Sequence, residues 1–418
     1  MLSVLINAYA CSPNMGSEPG MAWNWCVNLA NHCELHIITE GEFREKIETV
    51  LPSLPQGKNM HFYYNPVSDK VRKMCWNQGD WRFYKHYRQW QLKTLQIATK
   101  IVAENHIDIV HQLNMIGFRE PGYLWKIENI HFIWGPIGGL MDIPLNYISF
   151  GNVKMKVMAT LKTILNALQV KYHPRVIKAL HRASFIIGAA NESVKKIEQH
   201  HGKKVILINE SGCYTKRTCV TKIAANDDLF HIVWVGRFLY TKKLDLALRT
   251  ISQLCHLENI KFHIVGSGNQ EEVKSNKQLA NNLNISDMCI WHGNVTHAAV
   301  QDIMQRSDLF FFTSIAEGTP HVVLEAISNC LPVICFDCCG QGDSVNEEVG
   351  IKIKLSHPQQ SVDEFAEKIE YLYHHREILD ELSQNCIQRQ QELSWDNKAK
   401  QMVNLYQKAI DNRNSHAS

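Results

Sequence analysis

The apolar and polar positions of this chain form two repeating kinds of segment. Short apolar runs, of the length of buried parallel strands, alternate with longer stretches in which apolar residues recur at the spacing of an amphipathic helix. In the first half, strands are predicted at Val4–Tyr9, Glu34–Thr39, His61–Tyr64, Ile107–His111, His131–Trp134, Ala183–Ile187 and Lys204–Ile208. Helices are predicted at Met21–Asn31, Asp80–Glu104, Val153–Tyr172 and Glu192–His200.

The alternation restarts at Phe230. Strands are then predicted from Phe230 to Gly236 and at Lys261–Val265, Cys289–Trp291, Leu309–Phe312 and Pro332–Phe336. Helices are predicted at 242–256, 270–283, 297–305, 320–329, 361–383 and 394–412. This restart predicts an α/β protein of two Rossmann-like domains, over residues 1–212 and 230–390. Residues 213–229 are interpreted as a linker, and 391–418 as a terminal helix that packs back towards the first domain.

Composition narrows the class of protein without choosing a partner. Of 418 residues, 45% are hydrophobic and 20% charged, as in globular proteins, and a formal net charge of +3 gives no reason to expect a nucleic-acid partner. The thirteen cysteines lack a second ligand pair at zinc spacing, so no metal is expected. The first residues are typical of a strand rather than a signal peptide, and no apolar window reaches the ~18 residues of a membrane span. A cytoplasmic protein is therefore expected.

The most specific chemical signal follows the predicted strand at Leu309–Phe312. The helix after it is predicted to begin at Pro320, with Thr319 as its N-cap. Gly318 would let the backbone approach a ligand closely. The N–H groups of this helix start, which includes His321, point towards the carboxyl edge of the sheet and would suit a diphosphate.

Two carboxylates flank this helix start. Glu325 can accept hydrogen bonds from two neighbouring ribose hydroxyls. Glu317 can hydrogen-bond sugar hydroxyls or stabilise positive charge that develops on a sugar ring. The alternative is an ordinary surface pair of acids; their position around a Gly-Thr-Pro helix start favours the functional interpretation.

Three other loops of the second half are predicted to meet the same edge. Arg237 and Lys242 follow the first strand of that half, where two cations could stabilise a departing nucleoside diphosphate. Gly266 belongs to a Gly-Ser-Gly turn that lacks the third glycine of a dinucleotide fingerprint. The backbone of Asn294 and Val295 could contact the edge of a nucleotide base. A solvated basic loop remains the alternative for the two cations.

The first half supplies a second set of candidates. Gly16 and Ser17 open a glycine-rich helix start that could contact phosphate or sugar, although a plain capped turn would look the same. His111 ends a buried strand, where a histidine is as often structural as functional. Gly138 and Gly139 form a glycine loop that could line an acceptor site. The segment 153–172, with lysines between helically spaced apolar residues, could rest on anionic lipid or simply pack on its own domain.

Together these elements resemble family 4 of the retaining GT-B glycosyltransferases. The resemblance covers nearly the whole chain and is strongest over 232–350, where the Gly-Arg…Lys element, the Gly-Ser-Gly turn and the acidic pair stand in family order. The phrases Gly-Ser-Glu-Pro-Gly-Met-Ala-Trp-Asn-Trp and Trp-Gly-Pro-Ile-Gly-Gly resemble a bacterial branch that serves surface polysaccharides, such as O-antigen, capsule or exopolysaccharide.

The resemblance implies two domains that face each other across a deep cleft. It implies hexosyl transfer with retention, by front-face displacement, from a UDP- or GDP-linked sugar, without a further cofactor or an obligatory metal. Arg237 and Lys242 would bind the diphosphate, Glu325 the ribose and Glu317 the donor sugar. The acceptor would be a saccharide or a lipid-linked oligosaccharide at the inner face of a bacterial membrane.

The chain departs from the family pattern after the strand that ends at His111. Leu113 stands where a second histidine often contacts the donor sugar, so His111 or Asn114 could substitute, or the contact is absent. Two alternatives to a transferase stay open: a nucleotide-sugar 2-epimerase of the same architecture, and a non-catalytic partner subunit of a transferase.

Overall fold

The computed structural model describes residues 1–77, 80–148, 153–215 and 229–414. The chain forms two compact units. Unit 1 comprises residues 1–140, 164–211 and 395–418, and unit 2 comprises residues 141–163 and 212–394. Most of the predicted linker at 213–229 lies outside the described residues. The terminal helix groups with unit 1, whereas the segment 141–163 groups with unit 2 rather than with the first domain.

The first half of the chain contains seven strands and seven α-helices among the described residues. The strands are β1 Leu2–Ala8, β2 Cys33–Thr39, β3 Met60–Tyr64, β4 Ile109–Asn114, β5 His131–Ile137, β6 Phe185–Gly188 and β7 Val205–Leu207. The helices are α1 Ser17–Leu29, α2 Arg44–Val50, α3 Asp69–Trp76, α4 Phe83–Glu104, α5 Val153–Tyr172, α6 Pro174–Arg182 and α7 Asn191–His201.

The seven strands form one parallel sheet in the order β3-β2-β1-β4-β5-β6-β7. The central strands are buried on both faces, as expected for parallel strands covered by helices: six of the seven residues of β1 and all six residues of β4 are buried. The strand order reverses between β1 and β4, whose register pairs Ile6 with His111. Ligands of open α/β sheets bind beyond the carboxyl ends of strands at such a reversal.

The second half contains six strands and eight α-helices among the described residues. The strands are β8 Phe230–Val235, β9 Ile260–Val265, β10 Cys289–Gly293, β11 Leu309–Phe312, β12 Val333–Phe336 and β13 Gly350–Ile353. The helices are α8 Leu244–Gln253, α9 Gln270–Asn282, α10 His297–Arg306, α11 His321–Ser328, α12 Cys339–Ser344, α13 Pro358–His374, α14 Arg376–Glu392 and α15 Trp395–Asn414.

These six strands form a second parallel sheet in the order β10-β9-β8-β11-β12-β13. All four residues of β11 are fully buried, and Phe311 packs edge-on against Phe365 of α13 at a ring distance of 4.9 Å. The reversal of strand order lies between β8 and β11. The structure thus confirms the predicted pair of Rossmann-like parallel sheets.

Two kinds of prediction along the chain were wrong. The single helix expected at 361–383 is two helices, α13 and α14, because the backbone of His375 leaves the helical region at φ −122° and ψ 67°. Short elements also went unpredicted, namely α2, α3, α6, α12 and β13, because their few residues do not establish a period. Within the described residues, no helix has the length and apolar character needed to cross a membrane.

Candidate active site at the carboxyl edge of the second sheet

The loops after β8 and β11 meet at the reversal of the second sheet. Three glycines at neighbouring strand ends keep this edge compact. The amide of Gly236 donates to the Val265 carbonyl at 3.0 Å, and the amide of Gly266 donates to the Gly293 carbonyl at 2.9 Å. Gly266 has a φ of +123°, and a Cβ there would lie 2.0 Å from the Gly236 oxygen. Only glycine fits this position, so its predicted place in a turn at this edge has a steric basis.

The loop that carries Arg237 and Lys242 is fastened to the end of β11. The Thr313 hydroxyl donates to the Lys242 carbonyl at 2.8 Å and accepts from the buried indole of Trp234 at 3.0 Å. The Ile315 amide donates to the Thr241 carbonyl at 2.9 Å. Because Thr313 and Ile315 are buried, the basic loop is held by the core of unit 2.

Lys242 and Glu317 form an ion pair across these two loops. The side chains are 16% and 17% exposed, so solvent screens the pair only partly. The Ser314 hydroxyl donates to Glu317 Oε1 at 2.6 Å, and the Lys242 ammonium lies 5.4 Å from the centre of the Phe312 ring. The structure therefore brings together one predicted cation and one predicted carboxylate.

Arg237, in contrast, is exposed, and the described part of the chain offers it no ion-pair partner. Its backbone is fixed on both sides, since the Gly236 amide is bonded to β9 and the Phe238 amide donates to the Ser267 carbonyl at 2.9 Å. A fixed backbone with an exposed guanidinium leaves the five donors of Arg237 available to an anion.

The helix after β11 begins one residue later than predicted. The N-cap of α11 is Pro320, in an extended conformation, and His321 is the first helical residue, so the N-cap role predicted for Thr319 was wrong. Gly340 supports the turn: its amide donates to the Gly318 carbonyl at 3.0 Å, and a Cβ on Gly340 would lie 2.2 Å from that oxygen. The shift leaves Thr319 and Pro320 buried beneath the helix start, with His321 exposed.

Glu325 lies one turn into α11 and is oriented by α10. Gln301 Nε2 donates to Glu325 Oε2 at 3.1 Å, and His297 Nε2 lies 3.3 Å from Oε1. The carboxylate remains 29% exposed. Asn294 and Val295 lie in the exposed loop between β10 and α10, and Thr296 separates them from His297. Pattern reasoning missed Gln301 and His297, because their role depends on two helices being adjacent.

In unit 1, the candidates at the start of α1 lie at the carboxyl edge of the first sheet. Gly16 is the N-cap of α1, with no side-chain cap, and Ser17 is the first helical residue; both are exposed. The next residue, Glu18, was not predicted to matter. Its Oε1 accepts from the Ile116 amide at 3.1 Å, and burial, opposed by that bond and assisted by Glu210, raises the Glu18 pKa to about 7. A carboxyl that titrates near neutrality at a strand end is a functional candidate.

His111 and Asn114 are fully buried. His111 Nδ1 lies 2.7 Å from the Tyr406 hydroxyl and Nε2 lies 2.7 Å from the Gly135 carbonyl; burial lowers its pKa to about 4. The side-chain Nδ2 of Asn114 donates to the Ala10 carbonyl at 2.8 Å. These contacts give both residues a structural role in unit 1, and the acceptor-side role predicted for them stays a prediction.

The glycine loop after β5 is paired with the loop after β4. The Gly138 amide donates to the Ile116 carbonyl at 2.8 Å, and the Phe118 amide donates to the Gly138 carbonyl at 3.2 Å. Gly139 is exposed, with a φ of +82°. The side chains that could hold a metal do not gather into any group of three or more within the described ranges.

Comparison with known proteins places this geometry in context. Residues 216–392 match the family profile described as "Glycosyl transferases group 1". An uncharacterized glycosyltransferase of Methanocaldococcus jannaschii is 25% identical over 190 residues, which are 45% of this chain and 47% of that protein. The chain thus spans about half the length, or less, of the curated relatives that it matches.

Solved structures match over nearly the whole chain. A glycosyltransferase of Rickettsia africae aligns with a TM-score of 0.64 at 14% identity, covering 98% of this chain and 99% of that one. The HepE protein of Anabaena, in complex with UDP, aligns with a TM-score of 0.58 at 14% identity, covering 97% and 99%. At this identity the likeness shows the fold, which is GT-B.

Proposed function

We propose that this chain is a glycosyltransferase that moves a sugar from a nucleoside-diphosphate sugar, bound by unit 2, to a saccharide acceptor. The observation that carries the proposal is the arrangement at the reversal of the second sheet: an exposed arginine on a fixed backbone, the partly exposed Glu325 and the Lys242–Glu317 pair around one helix start. The match of residues 216–392 to group 1 glycosyl transferases supports it.

Each of these groups has a role in the proposed reaction. Arg237 and Lys242 bind the diphosphate and stabilise the negative charge that grows on it as the bond to the sugar breaks. Glu325 accepts hydrogen bonds from the ribose hydroxyls, while Glu317 contacts the donor sugar and holds Lys242 in place. The sugar is a hexose. The acceptor hydroxyl bonds to its anomeric carbon on the face from which the nucleoside diphosphate departs and passes its proton to the departing phosphate oxygen, so the anomeric configuration is retained.

The donor is tested by thermal unfolding with UDP, GDP and their sugars. A ligand that binds only the folded chain raises the melting temperature, by an amount that grows with its concentration. We expect one nucleotide class to stabilise the protein, and UDP is the first to examine because the HepE neighbour was solved with UDP. Arg237→Ala should lose the stabilisation, whereas Arg249→Ala, an exposed arginine on α8, should keep it.

The outcomes of this experiment are distinct. Equal stabilisation of both variants would contradict the site, and no stabilisation by any nucleotide would favour a non-catalytic partner subunit. With the donor class known, sugar transfer to an acceptor separates a transferase from an epimerase, which would convert the donor sugar without an acceptor.

We further propose that the acceptor belongs to the synthesis of a bacterial surface polysaccharide and is presented at an anionic membrane surface. The α5 helix supports a membrane role. Eight of its apolar side chains are 49% to 65% exposed: Val153, Val157, Met158, Leu161, Ile164, Leu165, Leu168 and Tyr172. Their spacing places them along one side of the helix, whose sequence has four lysines and no acidic residue. A cationic helix with an exposed apolar stripe suits an anionic lipid surface.

A further inference from the structure

A cavity in unit 1 that is lined in part by arginines is not used by the site described above. It measures about 150 Å³ and lies among the start of α4, the loop after β4, the end of α5 and the start of α6. Its walls are formed by Tyr84, Arg88, Arg119, Glu120, Gln169, His173 and Val176, and much of the surface is contributed by their apolar atoms. That volume is sufficient for several water molecules or for a group the size of phosphate.

The cavity carries an excess of positive charge. Glu120, which is 5% exposed on its side chain, accepts from Arg88 Nη2 at 3.0 Å and from Arg175 Nη2 at 3.0 Å. Arg119 adds a third guanidinium. Two arginines therefore share one buried carboxylate, while Arg119 lines the same cavity without an ion-pair partner among the described residues.

Arg119 has only neutral partners among the described residues. Its Nε donates to Gln169 Oε1 at 2.5 Å and its Nη2 donates to Asn166 Oδ1. Its guanidinium also lies 4.6 Å from the Phe118 ring centre. Burial lowers the pKa of Arg119, as is expected for a cation withdrawn from water without an anion beside it. Buried charges are normally paired because an uncompensated one costs free energy.

Several donors around the cavity are also unsatisfied. Within the described chain, Arg175 Nε and Nη1 and Asn166 Nδ2 are buried without a hydrogen-bond partner beside the lining residues Glu120 and Arg119, and the ring nitrogen Nδ1 of His173 has no partner either. Burial, assisted by Arg175 and Arg88, lowers the His173 pKa. Native structures rarely leave so many buried donors unpaired unless another molecule completes them.

We propose that this cavity binds a phosphoryl group of the acceptor, which deepens the proposed function and rests on it. Phosphate presents oxygens in several directions, and guanidinium groups bind them with charge-assisted hydrogen bonds. The group would belong to a lipid-linked acceptor or to a soluble phosphate. The neighbouring helix favours the lipid, because Gln169 lies on α5 among the exposed residues Leu165, Leu168 and Tyr172.

The test uses inorganic pyrophosphate as the probe, measured by calorimetry. Pyrophosphate would also bind the donor site, so all measurements use the full chain carrying Arg237→Ala. We expect saturable binding that Arg119→Gln weakens about tenfold or more, the range for a lost hydrogen bond to a charged group. Arg88→Gln should weaken it as well. Lys93→Gln removes an exposed charge from the same helix, α4, and should have no effect.

Vesicles of phosphatidic acid in phosphatidylcholine separate the two sources. If these vesicles displace pyrophosphate and pure phosphatidylcholine vesicles do not, the phosphoryl group is a lipid headgroup; if neither does, the source is soluble. The proposal is overturned if pyrophosphate does not bind, or if Arg119→Gln and Lys93→Gln bind it equally. Thermal stabilisation by the donor nucleotide, in chains with an intact Arg237, should survive Arg119→Gln, so failure of this cavity is distinct from failure of the donor site.

Discussion

At the scale of single residues, the candidate donor site is organised before any ligand arrives. Glu317 is held by Ser314 and Lys242, and Glu325 is held by Gln301 and His297. A carboxylate whose position is already fixed loses little side-chain entropy when it accepts a hydrogen bond from a sugar hydroxyl. The exposed Arg237 is the exception, and it would lose rotamer freedom on binding a diphosphate.

We expect substitution of Glu325 to lower mainly nucleotide affinity and substitution of Glu317 to lower mainly kcat. Glu325→Ala removes a contact made equally in the bound substrate and the transition state, so nucleotide affinity should fall about tenfold or more. Glu317→Gln leaves Lys242 without its anion and weakens charge stabilisation at the reacting bond, so kcat should fall about a hundredfold. Steady-state kinetics with the donor identified by thermal unfolding measures both.

Glu271→Ala, on the exposed side of α9, is the matched control for these variants and should behave like wild type. If Glu325→Ala changed kcat alone, or if Glu317→Gln changed neither constant, the roles given to the two residues would be wrong.

At the scale of an element, α5 is the helix whose packing explains its sequence least. Its buried positions, among them Ala159, Asn166 and Val170, account for one side of the helix. The exposed apolar stripe on another side would be costly in a helix that met only water. Its contribution to membrane binding can be separated from that of its lysines.

Leu165→Glu should reduce binding to anionic vesicles at low salt about tenfold or more. The substitution removes apolar area that the membrane would bury and adds a negative charge that the headgroups repel. Co-sedimentation with vesicles measures this. Ala167→Glu adds the same charge at an exposed position off the stripe and should have a smaller effect. Wild-type protein that did not sediment with anionic vesicles would refute membrane binding by α5, as would equal loss in the two variants.

At the scale of the whole molecule, the chain forms two compact units, and the helix α15 packs into a hydrophobic core cluster of unit 1. The rings of Trp395 and Trp25 pack edge-to-face at 5.9 Å, and Met402 and Tyr406 are fully buried in the same core. The buried ammonium of Lys398 donates to the Asn209 and Ser211 carbonyls at 3.2 and 2.5 Å. Unit 1 therefore depends on α15.

Deletion of residues 395–418 should destabilise unit 1 and spare unit 2. Loss of one core side chain costs ~2–5 kcal/mol. Loss of Trp395, Met402 and Tyr406 together is therefore comparable to the ~5–15 kcal/mol by which a domain is stable. Calorimetry should show one transition weakened or absent and another retained, and the donor nucleotide should still stabilise the retained one. Equal loss of both transitions would contradict this division.

Tyr406→Phe, which removes only the contact with His111, should cost ~1 kcal/mol.

Much of this protein's fold can be predicted from local patterns in its sequence. Continuous apolar runs such as Phe230–Val235 predict buried parallel strands, and the restart at Phe230 predicts a second sheet. The position of Arg237 and Glu317 at a shared edge follows too, because parallel strands bring their carboxyl ends together. Boundaries were less predictable: the break at His375 and the one-residue shift at Pro320 depend on backbone angles that no periodicity encodes.

The sequence by itself determined the fold class, the two-sheet organisation and the candidate cations and carboxylates, since strand period, helix period and turn chemistry are local properties. The tertiary structure decided what each polar side chain faces. It placed the buried His111 in contact with Tyr406, which is 295 positions away in the sequence, and it brought the Gln301 side chain within hydrogen-bond distance of Glu325. It also placed Arg88 and Arg119 in the wall of one cavity and paired Arg175 with Glu120 beside them. Contacts between distant residues depend on how elements pack, and packing is set by the whole chain.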